Sequence, residues 1–244
     1  WRCHDRFRGG GIQCVTRNPT RDAVGTLVGE FEGMVDALVF LGGHDAAGDL
    51  IMQPIAVSQQ LELVPLELRD ADELFELTDR NRPYLRNWLP WLDKIIRPQD
   101  TRAFIRAAQS QESQNNGTQL AIRLDGRIAG IVGHHQIDWR NRLTSLGYWV
   151  GEEFQGRGLV TSASRALVGQ AFNQAKLNRV EIRCAVGNDR SRAIPSRLGF
   201  REEGLLRDAE WLYDHFVDHI VYAMLARDWA AAVERTANTV PPAS

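Results

Sequence analysis

The sequence predicts a mixed α/β fold, a mostly antiparallel sheet with flanking helices, over residues 52–232. Three observations carry this. "TQLAIRLDGRIAGIVG" alternates through Leu120, Ile122 and Leu124 into Asp125-Gly126, a two-residue turn signal that marks a hairpin. "RVEIRCAV" places Val180, Ile182, Cys184 and Val186 on one face of a strand, and Leu159, Ala163, Ala166, Leu167 and Ala171 recur at helical spacing before it. Strands and helices do not alternate strictly, which argues against an all-parallel sheet.

Residues 1–51 hold 9 of the 21 glycines and show neither periodicity. They are expected to be a poorly ordered N-terminal extension or a misassigned start, with the domain beginning at Met52. Leu61, Leu63 and Val64 mark a first strand near 61–67, followed by a helix at about 71–80 with Asp70 as N-cap and Glu73 three residues on. Two prolines break "NRPYLRNWLPW", and a second helix runs from Pro98 to the Asn115-Asn116-Gly117 turn. After the hairpin come a strand at "TSLGYWVG", the helix from Leu159, the strand near Val180, a short helix at about 189–197, and closing strands near 202–212 and 217–225. The tail, 233–244, is polar, carries prolines and is expected to be flexible.

Composition narrows the function. The apolar runs, such as "ALVFLGG", are too short to span a bilayer, and no charged-then-apolar leader pattern is present, so a cytoplasmic protein without a membrane partner is expected. Cys3, Cys14 and Cys184 are too few and too scattered for a disulfide framework or a metal knuckle, so no metal is expected. A formal net charge of -2 provides no field that would recruit nucleic acid.

"EEFQGRGLVTSAS" lies between a strand and a helix. The first N–H groups of a helix lack intrahelical partners, and Gly156 and Gly158 would let a phosphate approach them while Arg157 adds a cation. A plain strand-to-helix turn uses glycines equally well, and the stretch alone fits either reading. It is neither a Walker loop nor the dinucleotide fingerprint.

The wider pattern resembles a known family. Gln155-x-x-Gly158-x-Val160 is similar to the acyl-CoA pyrophosphate loop of the GCN5-related N-acetyltransferases (GNAT). "LGYWVGEEFQGRGLVTSA", "VGNDRSRAIPSRLGFREEG" and "EWLYDHFVDHIVYAMLARDW" resemble the RimJ/RimL branch of ribosomal-protein N-terminal acetyltransferases over about residues 58–229. The resemblance implies a GNAT-like twisted sheet splayed at the acyl-CoA site. It further implies acetyl-CoA as cosubstrate, with the diphosphate on Gln155, Gly156, Arg157, Gly158, Val160 and Thr161, and pantetheine along Tyr148, Trp149 and Val150. By the same resemblance Asn188 contacts pantetheine and Ser191 protonates the departing thiolate. The local alternatives are an N-cap and an exposed first-turn residue. The acceptor implied is the α-amine of a protein N-terminus, ribosomal proteins included. A small amine such as an antibiotic or polyamine, and a non-catalytic acetyl-CoA module, are the competing readings, and a homodimer is the candidate assembly.

Two positions depart from the family. Val160 stands where Gly or Ala is common. Ser145 stands where many relatives carry a basic Glu, so the proton acceptor is sought at His134 and His135, with Asp138, Glu210 and Asp214 behind them. Tyr84, Trp88 and Trp91 are the expected acceptor-groove residues, a core-covering aromatic loop being the alternative.

Overall fold

The computed structural model describes residues 53–238. The expectations for residues 1–51 and for the end of the tail fall outside them. Eight strands form one sheet: β1 (Ile55–Ala56), β2 (Leu61–Pro65), β3 (Thr118–Leu124), β4 (Arg127–Asp138), β5 (Leu143–Val150), β6 (Arg179–Ala185), β7 (Arg201–Leu212) and β8 (His215–Leu225). Their order is β1-β2-β3-β4-β5-β6-β8-β7, and β5–β6 is the parallel pair in an otherwise antiparallel sheet. The helices are α1 (Ala71–Arg80), α2 (Arg82–Leu85), α3 (Pro98–Ser113), α4 (Leu159–Asn173), α5 (Asp189–Leu198) and α6 (Ala226–Asn238).

The hairpin forms where the Asp-Gly signal sits: Asp125 and Gly126 adopt positive φ of 50° and 78°, and Leu124 pairs with Arg127. Seven consecutive residues of β4, Ile128–His134, are buried, so both faces of the strand are covered. α1 and α3 pack on each other and on β3 and β4, whereas α4 packs on β4, β5 and β6.

Two local expectations are corrected. Asp70 does not cap α1 with its side chain. Its carboxylate accepts from Glu67 N at 2.9 Å and pairs with Arg123 at 2.7 Å, and Glu73 accepts from Ile128 N at 2.7 Å. Asp70 thus closes a capping box with Glu67 one turn earlier, and the two carboxylates tie this helix start to β3 and β4. The chain also continues past β8 as α6, so 233–238, assigned above to a flexible tail, is helical. Trp229, 7% exposed, anchors α6 against Phe172 with ring centroids 6.1 Å apart.

His134 lies in the core at zero exposure, beside its cross-strand neighbour Thr118. Both of its ring nitrogens and the Thr118 hydroxyl lack a hydrogen-bond partner. Burial first, and then the neighbouring His135, push its pKa down to about 4. In the unfolded chain an imidazole titrates near 6.5. The unfolded state therefore takes a proton that the folded state refuses, and stability falls as pH drops from about 6.5 to about 4, by roughly 3 kcal/mol in all. Urea midpoints measured from pH 7 to pH 4.5 should decline more steeply for the native chain than for His134→Leu; parallel slopes would refute this placement.

Candidate active site

β5 and β6 pair in parallel only through Leu143–Arg179, Thr144–Val180 and Ser145–Glu181. Beyond Ser145, β5 continues to Val150 and β6 to Ala185, each still bonded to its outer neighbour, β4 and β8. The sheet is thus parted between two rigid strands, and the backbone edge of β5 facing the gap is released from pairing. Side chains alternate across that gap. Tyr148 and Cys184 project to one face, His135 and Ser145 to the other, as the contacts below show.

On the first face, β5 leads through a short turn, Glu152–Phe154, to Gln155 and α4. The turn is tethered to the end of α1: buried Asn81 accepts from Glu152 N at 2.8 Å, and Arg80 pairs with Glu153 at 2.9 Å. Gly156 and Gly158 take left-handed φ of 72° and 75°, which glycine adopts without the penalty of a Cβ. An added Cβ at either would meet nothing within 4 Å, so the space beside the loop is open. Gly158 caps α4 without any side-chain bond, and the first turn carries no acidic residue. The N–H groups and positive dipole end of a 15-residue helix therefore face an open space. Arg157 lies exposed with its guanidinium 5.9 Å from the Phe154 ring centroid, and Arg190 of α5 donates to Gln155 Oε1. This cradle fits a diphosphate.

Ser191 stands across the gap, in the first turn of α5. Asn188 caps that helix, its Oδ1 accepting from Ser191 N at 3.1 Å. The Ser191 hydroxyl is 3.2 Å from Cys184 Sγ and donates to the Tyr148 hydroxyl at 3.3 Å, while Tyr148 donates to the Ser191 carbonyl at 3.0 Å. Burial holds the Tyr148 phenol well above its ordinary pKa and raises the Cys184 thiol too, so both keep their protons at neutral pH.

Residues 60–201 match the family model described as the acetyltransferase (GNAT) domain. The chain belongs to the GNAT acetyltransferases. It is 36% identical to YdaF of Bacillus subtilis (strain 168), a protein assigned to ribosomal N-acetylation, over 71% of this chain and 95% of that one. It is 28% identical to the ribosomal-protein-serine acetyltransferase of Escherichia coli (strain K12), over 71% and 97%. Its fold matches that of RimL, a ribosomal L7/L12 alpha-N-protein acetyltransferase solved with coenzyme A, with a TM-score of 0.70, 26% identity, and coverage of 72% of this chain and 99% of that one. The protein is an acetyl-CoA-dependent N-acetyltransferase.

The second face of this GNAT domain holds the remaining candidates. His135 Nδ1 lies 2.9 Å from Ser145 Oγ, and its ring rests on Gly147, where an added Cβ would come within 2.6 Å of Nε2. Ser145 therefore holds the His135 imidazole against β5. Crowding of the ring, and then the Arg183 charge, lower the His135 pKa, with Glu210 opposing. Glu210 itself lies 3.5 Å from His219. His134 points the other way into the core and exposes no nitrogen to an acceptor. The expected aromatic trio is divided. Tyr84 lies beside Gln155, its pKa raised chiefly by burial, with Arg190 lowering it and Glu152 raising it. Trp91 packs against Trp149 with centroids 6.1 Å apart and the rings tilted by 55°, and the edge of Trp88 approaches Gly187, where an added Cβ would lie 3.9 Å from it. Thr161 and Val160 are half-buried in the first turn of α4.

Sequence reasoning missed Cys184 and Arg190, and it placed Tyr148 along pantetheine without its contact to Ser191. Cys184 was visible only as an apolar strand position. The phenol of Tyr148 reaches Ser191 across 43 residues, and Arg190 reaches Gln155 across 35. None of these pairings leaves a local spacing signal.

Proposed function

We propose that the protein acetylates the α-amino group of a protein N-terminus, with a cytoplasmic ribosomal protein as acceptor, and that the two faces of the strand gap divide the proton work. The observation that carries this is the separation of Ser191, on the α5 face, from His135, on the opposite face. Acetyl-CoA would lie with its diphosphate on the N–H groups of residues 156–160 and its thioester in the gap. Unpaired backbone donors of β5 there are suited to polarise the carbonyl. The amine would enter from the His135 face. An α-amine titrates near 7.7–8.0, so a minority is neutral at pH 7, and His135, with its pKa lowered, is itself neutral and able to accept the remaining proton. The amine lone pair forms the C–N bond, the C–S bond breaks, and the departing thiolate takes a proton from Ser191 Oγ, which regains one through the neighbouring Tyr148 phenol and solvent as His135 releases the amine proton to solvent.

The names of the relatives at 36% and 28% identity support this acceptor class. A spermidine N(1)-acetyltransferase of Escherichia coli, 24% identical, keeps a polyamine in view. Thiol release from acetyl-CoA should be measured with N-terminally free peptides, the same peptides blocked at the α-nitrogen, and spermidine. Turnover should require the free α-amine and should be fastest with peptides. Equal turnover of blocked peptides, or a preference for spermidine, would overturn the assignment.

A further inference from the structure

Beyond the gap the second face opens into a crevice of about 630 Å³ between the segment holding Trp88, the β6–α5 turn and the β7–β8 turn. Its floor, Val186 and Gly187, begins two residues past Cys184, on the order of 7 Å along an extended chain. A peptide whose α-amine stands at the gap would bring its second or third side chain there. The walls combine aromatic rings with acid. The edge of Trp88 approaches Gly187, and Phe216, 56% exposed, packs edge-on against Trp211 at 4.8 Å. Asp214 is exposed and bonded only to neighbouring His215 at 2.7 Å, while Asp218 gives one oxygen to Asp208 N at 2.8 Å. The rim cation, Arg86, donates two bonds to the Asp93 carboxylate, at 2.9 and 2.8 Å, and lies 3.8 Å over the Tyr213 ring. Arg86 also acts on Asp214, so two carboxylates share one already paired cation beside the Trp88 and Phe216 rings, an environment that attracts a further cation.

We propose that this crevice selects acceptors with Lys or Arg at the second or third residue, the cation lying between Trp88 and Phe216 and paired with Asp214 and Asp218. The inference rests on the α-amine reading above and adds a specificity to it.

The test compares kcat/KM for N-terminally free peptides that differ only in carrying Lys, norleucine or Glu at the second or third residue. Norleucine keeps the length of Lys without its charge. The Lys peptide should exceed the norleucine peptide about tenfold, with the Glu peptide lowest. In Asp214→Asn, and in the double variant with Asp218→Asn, which retains an acceptor for Asp208 N, the Lys-to-norleucine ratio should fall toward one, whatever the absolute rate. A ratio near one in the native protein, or a tenfold ratio that survives in the double variant, would overturn the proposal. If every peptide is inert while acetyl-CoA still binds, the α-amine reading fails and takes this specificity with it; turnover of the norleucine peptide distinguishes the two failures.

Discussion

Gly158→Glu should raise the Kd for acetyl-CoA on the order of 10²-fold, the largest effect on donor binding expected from a single side chain. Three contributions add. At φ 75° a residue with a Cβ is strained by about 1–2 kcal/mol, which loosens the start of α4. The carboxylate would stand about 5 Å from the diphosphate, where like charges repel by about 1–3 kcal/mol at dielectrics between those of water and a protein surface. It would also occupy the helix end whose dipole now favours the anion, worth roughly another 0.5 kcal/mol. The lower part of that sum, about 3 kcal/mol, corresponds to two orders of magnitude in affinity. Gly158→Ala carries only the strain and should weaken binding several-fold. Calorimetric titration of both variants with acetyl-CoA separates charge from geometry. Native affinity in a folded Gly158→Glu protein would remove the diphosphate from this loop.

Ser191→Ala should lower kcat on the order of 10²-fold, the usual range for losing a positioned proton donor, with little change in the KM for acetyl-CoA. The hydroxyl touches Cys184 and Tyr148 rather than the phosphate cradle, so donor binding does not depend on it. His135→Ala should cost less with an α-amine acceptor, because a part of that amine is already neutral near pH 7. The comparison belongs across pH 6 to 9. The deficit of His135→Ala should shrink as pH rises and deprotonates the amine, whereas that of Ser191→Ala should persist. An inert Ser191→Ala beside a dead His135→Ala would move the main proton role to the imidazole.

Much of this was readable from residues, and the remainder was hidden for identifiable reasons. The Asp125-Gly126 turn, the helix from Leu159 and the glycines at 156 and 158 each carry a local conformational demand, so sequence position alone locates them. The parting of β5 from β6 carries none. Both strands keep their alternation whether or not they pair, so the gap was implied only by the family resemblance, and the register ending at Ser145–Glu181 locates it. The two histidines make the same point. Adjacent strand residues face opposite ways, and which one meets the acceptor is decided by β4–β5 pairing and its irregularity between His134 and Ile137. Ser145 read from sequence as the loss of a carboxylate, whereas in space it holds His135. Asp70 caps with Glu67, three residues before it, rather than with Glu73, while Arg123 and Ile128 N, more than 50 residues away, bind Asp70 and Glu73. Helix α6 was legible at Ala226, Trp229, Ala230 and Val233, which recur at helical spacing, although Trp229 alone of these four is buried.

The central claim is that an α-amine, rather than any other amine, meets the thioester in the gap. A lysine side chain, with a pKa near 10.4, is neutral at pH 7 in less than about one molecule in a thousand, and its reaction would need a stronger base than the His135–Ser145 pair supplies. The most direct measurement is tandem mass spectrometry of a peptide that carries one free α-amine and one internal lysine, after incubation at pH 7 with acetyl-CoA and the protein. The account predicts the acetyl group on the α-nitrogen, lost in Ser191→Ala at matched times; acetyl on the lysine ε-nitrogen with the N-terminus untouched would contradict it.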